Sequence, residues 1–348
     1  METHPKPASL APRVIAWEST RACNYACVHC RAEAQKQADP NQLTTQEALR
    51  LMDEIAEVCK PILIISGGDP LKREDIFTVA SYADKLGFRV VMSPSGSNIT
   101  PEVISNMKSS GVKMISLSLD GSNAVVHDSF RKVQGAFDLV LKNIHTAKEV
   151  GMPFRINTTV TKHNANDLPA IHDLVVSLGS VEWDVFMLVP TGRGKVTMEI
   201  TPQEYEATLQ QIHALSQKSL IHIKMTCAPQ YIRIAAQQGK ATGEAPHGRG
   251  CMAGNGFCFI SHVGEVFGCG FLPVAAGNVR KEKFGDVYQK APLFAALRNH
   301  NLLTGHCGLC EFKVGCGGCR ARALSVYGDM FAGEPYCTYR PAAQKTKS

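Results

Sequence analysis

The chain has 348 residues, of which 37 are Lys or Arg and 31 Asp or Glu, a formal net charge of +6 without long basic runs. That mild balance argues against a nucleic-acid-binding surface and is compatible with an anionic small molecule. The start, METHPKPASLAPR, has no apolar segment behind a basic end, and no run of 18 apolar residues follows, so a cytoplasmic protein without a membrane span is expected.

Residues 1–13 read as an N-terminal tail. From Val14 to about Cys227 a short β-branched strand followed by an amphipathic helix recurs. The candidate strands are VIAWEST, ILIISGG, RVVMSPS, KMISLSLDG, FRINTTVT and WDVFMLVP. Two of the intervening stretches carry helix-start signals. TTQEALRLMDEIAEVC has the capping-box pair Thr44 and Glu47, and TPQEYEATLQQIHALSQ has Thr201, Pro202 and Glu204. Six alternations imply an α/β chain with a parallel sheet, either doubly wound or curved and barrel-like. In both forms ligands sit beyond the carboxyl ends of the strands.

After Cys227 the periodicity fades. Residues 248 to 340 hold eight cysteines and many glycines, with GFCFISHVG as a strand candidate and PLFAALRNH as a helical piece. A second module is therefore expected over 228–340, followed by a solvated tail at 341–348. Thirteen cysteines without a secretion signal read as metal or cluster ligands, because the cytosol keeps thiols reduced.

Directly after the first strand, CNYACVHC places Cys23, Cys27 and Cys30 within eight residues. A structural zinc site and an ordinary iron–sulfur cluster each take four protein ligands. A set that stops at three leaves one metal position open to another molecule. A zinc half-site, or cysteines that merely pack, is the competing account.

The C-x3-C-x2-C spacing, together with GGDP at the end of the second strand, resembles the radical S-adenosylmethionine (SAM) superfamily over essentially the whole chain. The resemblance implies a partial (βα)6 barrel over 14–227. It also implies a [4Fe–4S] cluster on Cys23, Cys27 and Cys30, whose open iron chelates SAM and whose reduction releases a 5′-deoxyadenosyl radical. By the same resemblance Gly67, Gly68, Asp69 and Pro70 line the methionine end of SAM. Ser93, Ser95, Ser118, Asp120 and Asn157 close the next strands near its ribose and carboxylate, and Arg131 offers a fork to that carboxylate. Turn caps and a helix-surface ion pair are the competing accounts for the serines, Asp120 and Arg131.

CGLCEFKVGCGGC, with the cysteines around it, reads cold as a pair of zinc ribbons. Beside such a barrel the order of eight cysteines resembles the SPASM extension, which holds auxiliary [4Fe–4S] clusters. The resemblance assigns Cys251, Cys258, Cys269 and Cys319 to one cluster and Cys307, Cys310, Cys316 and Cys337 to the other. Two residues, instead of the usual three, separate Cys316 from Cys319, and Cys227 is a ninth thiol whose structural and ligand readings both stand. Cys59 is expected to pack as a small hydrophobe, and His29 and His262 as packed or hydrogen-bonded rings.

Four stretches, PRVIAWESTRACNYACVHCRAEA, LVPTGRGK, GFCFISHVGEVFGCG and CGGCRARALSVYGD, resemble the haem b synthases of the sirohaem-dependent route. This implies iron-coproporphyrin III as substrate and oxidative decarboxylation of two propionates to vinyls. It further implies an auxiliary cluster as electron acceptor and a low-potential donor such as flavodoxin or ferredoxin. Arg193, Lys195, Arg320 and Arg322 are the candidate partners of the substrate carboxylates, with solvated surface charge as the plain alternative. The rival readings are a peptide-modifying SPASM maturase, for which little chain stands ahead of Val14, a relative acting on sirohaem derivatives or haem d1, and a zinc scaffold or electron carrier.

Overall fold

In the computed structural model, which describes residues 10–242 and 250–342, alternate strand residues point into a layer of helices. The distal parts of both expected tails, 1–9 and 343–348, lie outside the described residues. The strands are β1 (Val14–Glu18), β2 (Ile62–Ser66), β3 (Arg89–Met92), β4 (Met114–Ser118), β5 (Phe154–Val160), β6 (Glu182–Met187), β7 (His222–Thr226), β8 (Phe257–Ile260), β9 (Glu265–Phe267) and β10 (Ala275–Asn278).

They form one sheet in the order β10-β9-β8-β1-β2-β3-β4-β5-β6-β7. From β1 to β7 the spatial order equals the chain order and every pairing is parallel. A doubly wound sheet would reverse its order at a switch point; this one does not, so the winding is barrel-like and open. β7 is a seventh parallel strand beyond the six expected. Its sequence HIKMT buries only one residue, Ile223, and so carries little apolar signal.

The alternation explains the two faces. Ile15, Trp17, Leu63, Ile65, Val90, Met92, Ile115, Leu117, Ile156, Trp183 and Val185 all belong to the main hydrophobic core under the helices. Their neighbours on the other face are largely polar, as at Glu18, Ser66, Ser116, Ser118, Asn157 and Asp184. The face of the sheet away from this core is thus the more polar one.

Both capping boxes form as expected: Thr44 with Glu47 opens the helix Thr45–Val58, and Thr201 with Glu204 opens Pro202–Ser216. The cysteine-rich segment does not stand apart from this sheet. β8 lies parallel to β1, pairing Ile15 with Cys258, and β9 and β10 continue antiparallel. Phe284, Tyr288 and Phe294 of the same segment pack into the main core. No helix among the described residues is long and apolar enough to cross a membrane.

Candidate functional site

The loop after β1 carries Cys23 and Cys27 buried and Cys30 half-buried, all three as free thiols. It is pinned from several sides. Cys23 N–H donates to the Gln35 carbonyl at 2.7 Å, and Val28 N–H to that of Phe130 at 3.2 Å. Arg193 donates from its backbone to the Cys30 carbonyl at 3.0 Å and from Nε to the Cys27 carbonyl at 3.0 Å.

Each sulfur of the loop also receives a donor. Tyr25 N–H points at Cys23 Sγ at 3.3 Å, Ala34 N–H at Cys30 Sγ at 3.5 Å, and Arg131 Nη1 at Cys27 Sγ at 3.6 Å. Donors aimed at sulfur favour thiolate, the form that binds iron. Burial pushes the Cys23 thiol above its ordinary pKa, a cost that metal coordination removes. The side-chain oxygen Oδ1 of Asn157, in the middle of β5 beside the end of β4, is buried with no partner and offers a ready acceptor. These residues fit a three-thiolate cluster with a ligand beside it.

The strand ends differ from expectation in detail. A Cβ on Gly68 would stand 2.5 Å from the carbonyl oxygen of Ala22, so this glycine is required where the second strand end meets the chain just ahead of Cys23. Asp69 is fully buried and hydrogen-bonded within the protein: its carboxylate accepts from Leu71 N–H at 3.1 Å, Ser95 Oγ at 2.5 Å and Ser97 Oγ at 3.2 Å, while Pro70 starts a short 3-10 turn. Asp120 and Arg131 form a buried ion pair with each other, and Thr159 N–H adds a bond to Asp120 at 2.7 Å. Arg131 is therefore committed to Asp120 and Cys27. Ser93 follows β3 and Ser118 ends β4, whereas Asn157 does not close its strand: it lies in the middle of β5, paired with Ser118.

The thiols of the second segment separate into two groups. Cys307, Cys310, Cys316 and Cys337 line one pocket together with Gln230, Arg233 and His306. In the other group Cys227, Cys251 and Cys269 pack against Cys319 in a small satellite core. Burial first, and then the neighbouring Cys319, Cys269 and Cys251, push the Cys227 thiol well above its ordinary pKa. Cys258 is not in this group, which corrects its assignment beside Cys251, Cys269 and Cys319. Strand alternation is the reason: Cys258 pairs with Ile15, which faces the helices, so its side chain enters the main core toward Cys59. Among the described residues no three His, Cys, Asp or Glu side chains converge to hold a single ion.

Three of the four cations expected to meet substrate carboxylates are used inside the protein. Arg193 clamps the cysteine loop, with Nη1 also donating to the Ala34 carbonyl at 3.1 Å. Arg320 is buried and donates to the carbonyls of Gly318, Met330 and Ala332, with Nη2 3.9 Å from Cys307 Sγ. Arg322, fully buried, binds Glu199 at 3.1 Å and Glu334 at 3.3 Å and donates to the Cys227 carbonyl at 3.2 Å. Lys195 alone is exposed, touching only the Gly192 carbonyl at 3.5 Å. His29 packs against Phe130 with the rings tilted by 30°, and His262 bridges Glu18 and Asp39, as expected of structural rings.

Sequence reasoning passed over Glu334, the residue that joins the two thiol groups. Its carboxylate accepts from Cys319 N–H at 2.6 Å, and its own N–H donates to Cys307 Sγ at 3.3 Å. Cys251 N–H adds a second link by donating to the Cys316 carbonyl at 2.9 Å. The only local signal was an acidic residue three positions before Cys337.

The radical SAM superfamily profile matches residues 17–175 and the SPASM iron–sulfur cluster-binding domain matches 251–311. A protein of Methanosarcina barkeri named AdoMet-dependent heme synthase is 46% identical over 95% of this chain and 97% of its own length. The Fe-coproporphyrin III synthase of the same organism is 30% identical over 93% of this chain and 87% of its own. The crystal structure of Streptococcus suis SuiB bound to S-adenosylmethionine matches with a TM-score of 0.74 at 16% identity, over 94% of this chain and 78% of that one; at that identity the likeness speaks for the fold. The chain thus belongs to the radical SAM superfamily, in the group whose barrel carries a SPASM domain and whose cofactors are [4Fe–4S] clusters and SAM.

Proposed function

We propose that this enzyme is a haem synthase that converts two propionates of iron-coproporphyrin III to vinyls, giving haem b, with an auxiliary cluster as electron acceptor and a flavodoxin or ferredoxin as donor. When bound, the SAM-ligated cluster supplies a 5′-deoxyadenosyl radical able to take a hydrogen atom from a propionate β-carbon. The carbon radical then loses CO2, its Cα–carboxylate bond breaking to form the alkene, and one electron is left over. That electron is what an auxiliary centre is needed for.

In this reading Cys23, Cys27 and Cys30 hold the SAM cluster, and Arg131 and Arg193 fix the loop that carries them. Gly67 and Gly68 permit the close approach of the second strand end to that loop, and Ser93, Ser118 and Asn157 meet SAM. Cys227, Cys251, Cys269 and Cys319 hold one auxiliary cluster, and Cys307, Cys310, Cys316 and Cys337 the other. Lys195 is the cation left at the rim for a substrate carboxylate.

The observation that supports the reading most is the 46% identity to a protein named AdoMet-dependent heme synthase, against 30% to one named Fe-coproporphyrin III synthase, over similar spans. The test is anaerobic turnover of cluster-loaded enzyme with SAM, a reductant and iron-coproporphyrin III. Haem b is expected with two 5′-deoxyadenosines per product. SAM cleavage without vinyl product from this substrate would overturn the proposal in favour of a peptide or another tetrapyrrole.

A further inference from the structure

Gln230 stands immediately before the helix Tyr231–Thr242, three residues after Cys227. Its carbonyl is taken by the first turn, accepting from Arg233 N–H at 3.0 Å and Ile234 N–H at 3.3 Å, so its backbone is fixed. Its side chain does not cap that helix. Only 1% of the residue is exposed, and both Oε1 and Nε2 are buried without any hydrogen-bond partner. A primary amide left unpaired away from water is destabilising, so such a group calls for a partner.

The side chain lines the same pocket as Cys307, Cys310, Cys316 and Cys337. Two of the four sulfurs have backbone donors of their own. Cys307 Sγ receives Glu334 N–H at 3.3 Å, and Cys316 Sγ receives Gly318 N–H at 3.5 Å. Phe312 and His306 line the pocket beside them. The Gln230 amide is thus an unpartnered polar group of a pocket lined by the four thiols, and the inorganic sulfides of a cluster bound there would be acceptors within that pocket. Those sulfides are acceptors only, which selects Nε2 as the atom turned toward them.

We propose that Gln230 is a hydrogen-bond donor to the auxiliary cluster held by Cys307, Cys310, Cys316 and Cys337, and that it raises the reduction potential of that cluster. A donor to sulfide stabilises the more negative, reduced state, and hydrogen bonds to sulfur are among the levers that set cluster potentials. The inference rests on the assignment of these four cysteines to a cluster.

The test uses the anaerobic holoenzyme. The second auxiliary signal is identified in the reduced EPR spectrum as the one missing from Cys310→Ala. In enzyme labelled with 15N at Gln side chains, pulsed EPR of that signal is expected to show a 15N coupling that Gln230→Leu abolishes. Gln230→Leu is further expected to lower the reduction equilibrium of this cluster about tenfold, ~59 mV for one electron, with the other two potentials unchanged. If Gln230→Leu fails to retain the cluster, the wild-type coupling decides alone. A Cys310-dependent signal without 15N coupling overturns the role of Gln230 and leaves the ligand assignment standing. Absence of any Cys310-dependent signal overturns the assignment itself.

Discussion

The guanidinium of Arg322 donates from both terminal nitrogens to the carbonyl of Cys227, each at 3.2 Å. Tyr205 Oη donates to the same oxygen at 3.1 Å. Cys227 sits at φ 59°, a left-handed conformation that non-glycine residues rarely adopt, and these donors hold it there. The backbone is thereby bent so that the thiol reaches Cys251, Cys269 and Cys319.

Replacing Arg322 is expected to be severe. Arg322→Met leaves Glu199 and Glu334 buried without their partner, a loss of about 3–5 kcal/mol in the stability of the apo protein. Arg322→Lys should rescue little, because one ammonium cannot span the positions that the planar fork serves. Urea denaturation of the three apo proteins checks the order: wild type well above Lys, and Lys close to Met.

The two disputed cysteines separate cleanly by iron count. Cys227→Ala should reduce iron and sulfide by up to one cluster's content and remove one auxiliary EPR signal. Cys258→Ala should keep the full count, its side chain lying in the apolar core, and should cost only a modest loss of stability from the small cavity. Equal iron in wild type and Cys227→Ala would restore the eight-cysteine assignment.

Glu47 offers a pH dependence with a defined sign. Its carboxylate is bound by Arg280 and caps the helix at Thr44, and these bring its pKa down to about 2. The unfolded value lies near the ordinary 4.5. A group depressed on folding stabilises above its unfolded pKa and loses that contribution as pH falls through the folded one. The difference in urea midpoint between the wild-type and Glu47→Gln apo proteins should therefore be constant from about pH 7 to 5 and shrink between about 4.5 and 2. A gap that persists unchanged at pH 2.5 would show that the charge of Glu47 contributes nothing.

Much of this protein can be read directly from its chain, because the relevant signals are local. Thr44 with Glu47 and Thr201 with Glu204 act within one helical turn, and Cys23, Cys27 and Cys30 sit in one loop whose spacing marks them as a set of ligands. What only the tertiary structure decided are the relations between distant segments. Whether Cys258 or Cys227 joins Cys251, Cys269 and Cys319 depends on β8 pairing with β1 in a register that turns Cys258 toward the helices. Arg320 and Arg322 follow Cys319 directly and look like rim cations in the chain, yet folding buries both and pairs Arg322 with two acids from far apart in sequence. Charge is visible in a sequence, but burial, the property that turns a charge from a substrate partner into a pedestal for a ligand, arises only when the segments pack.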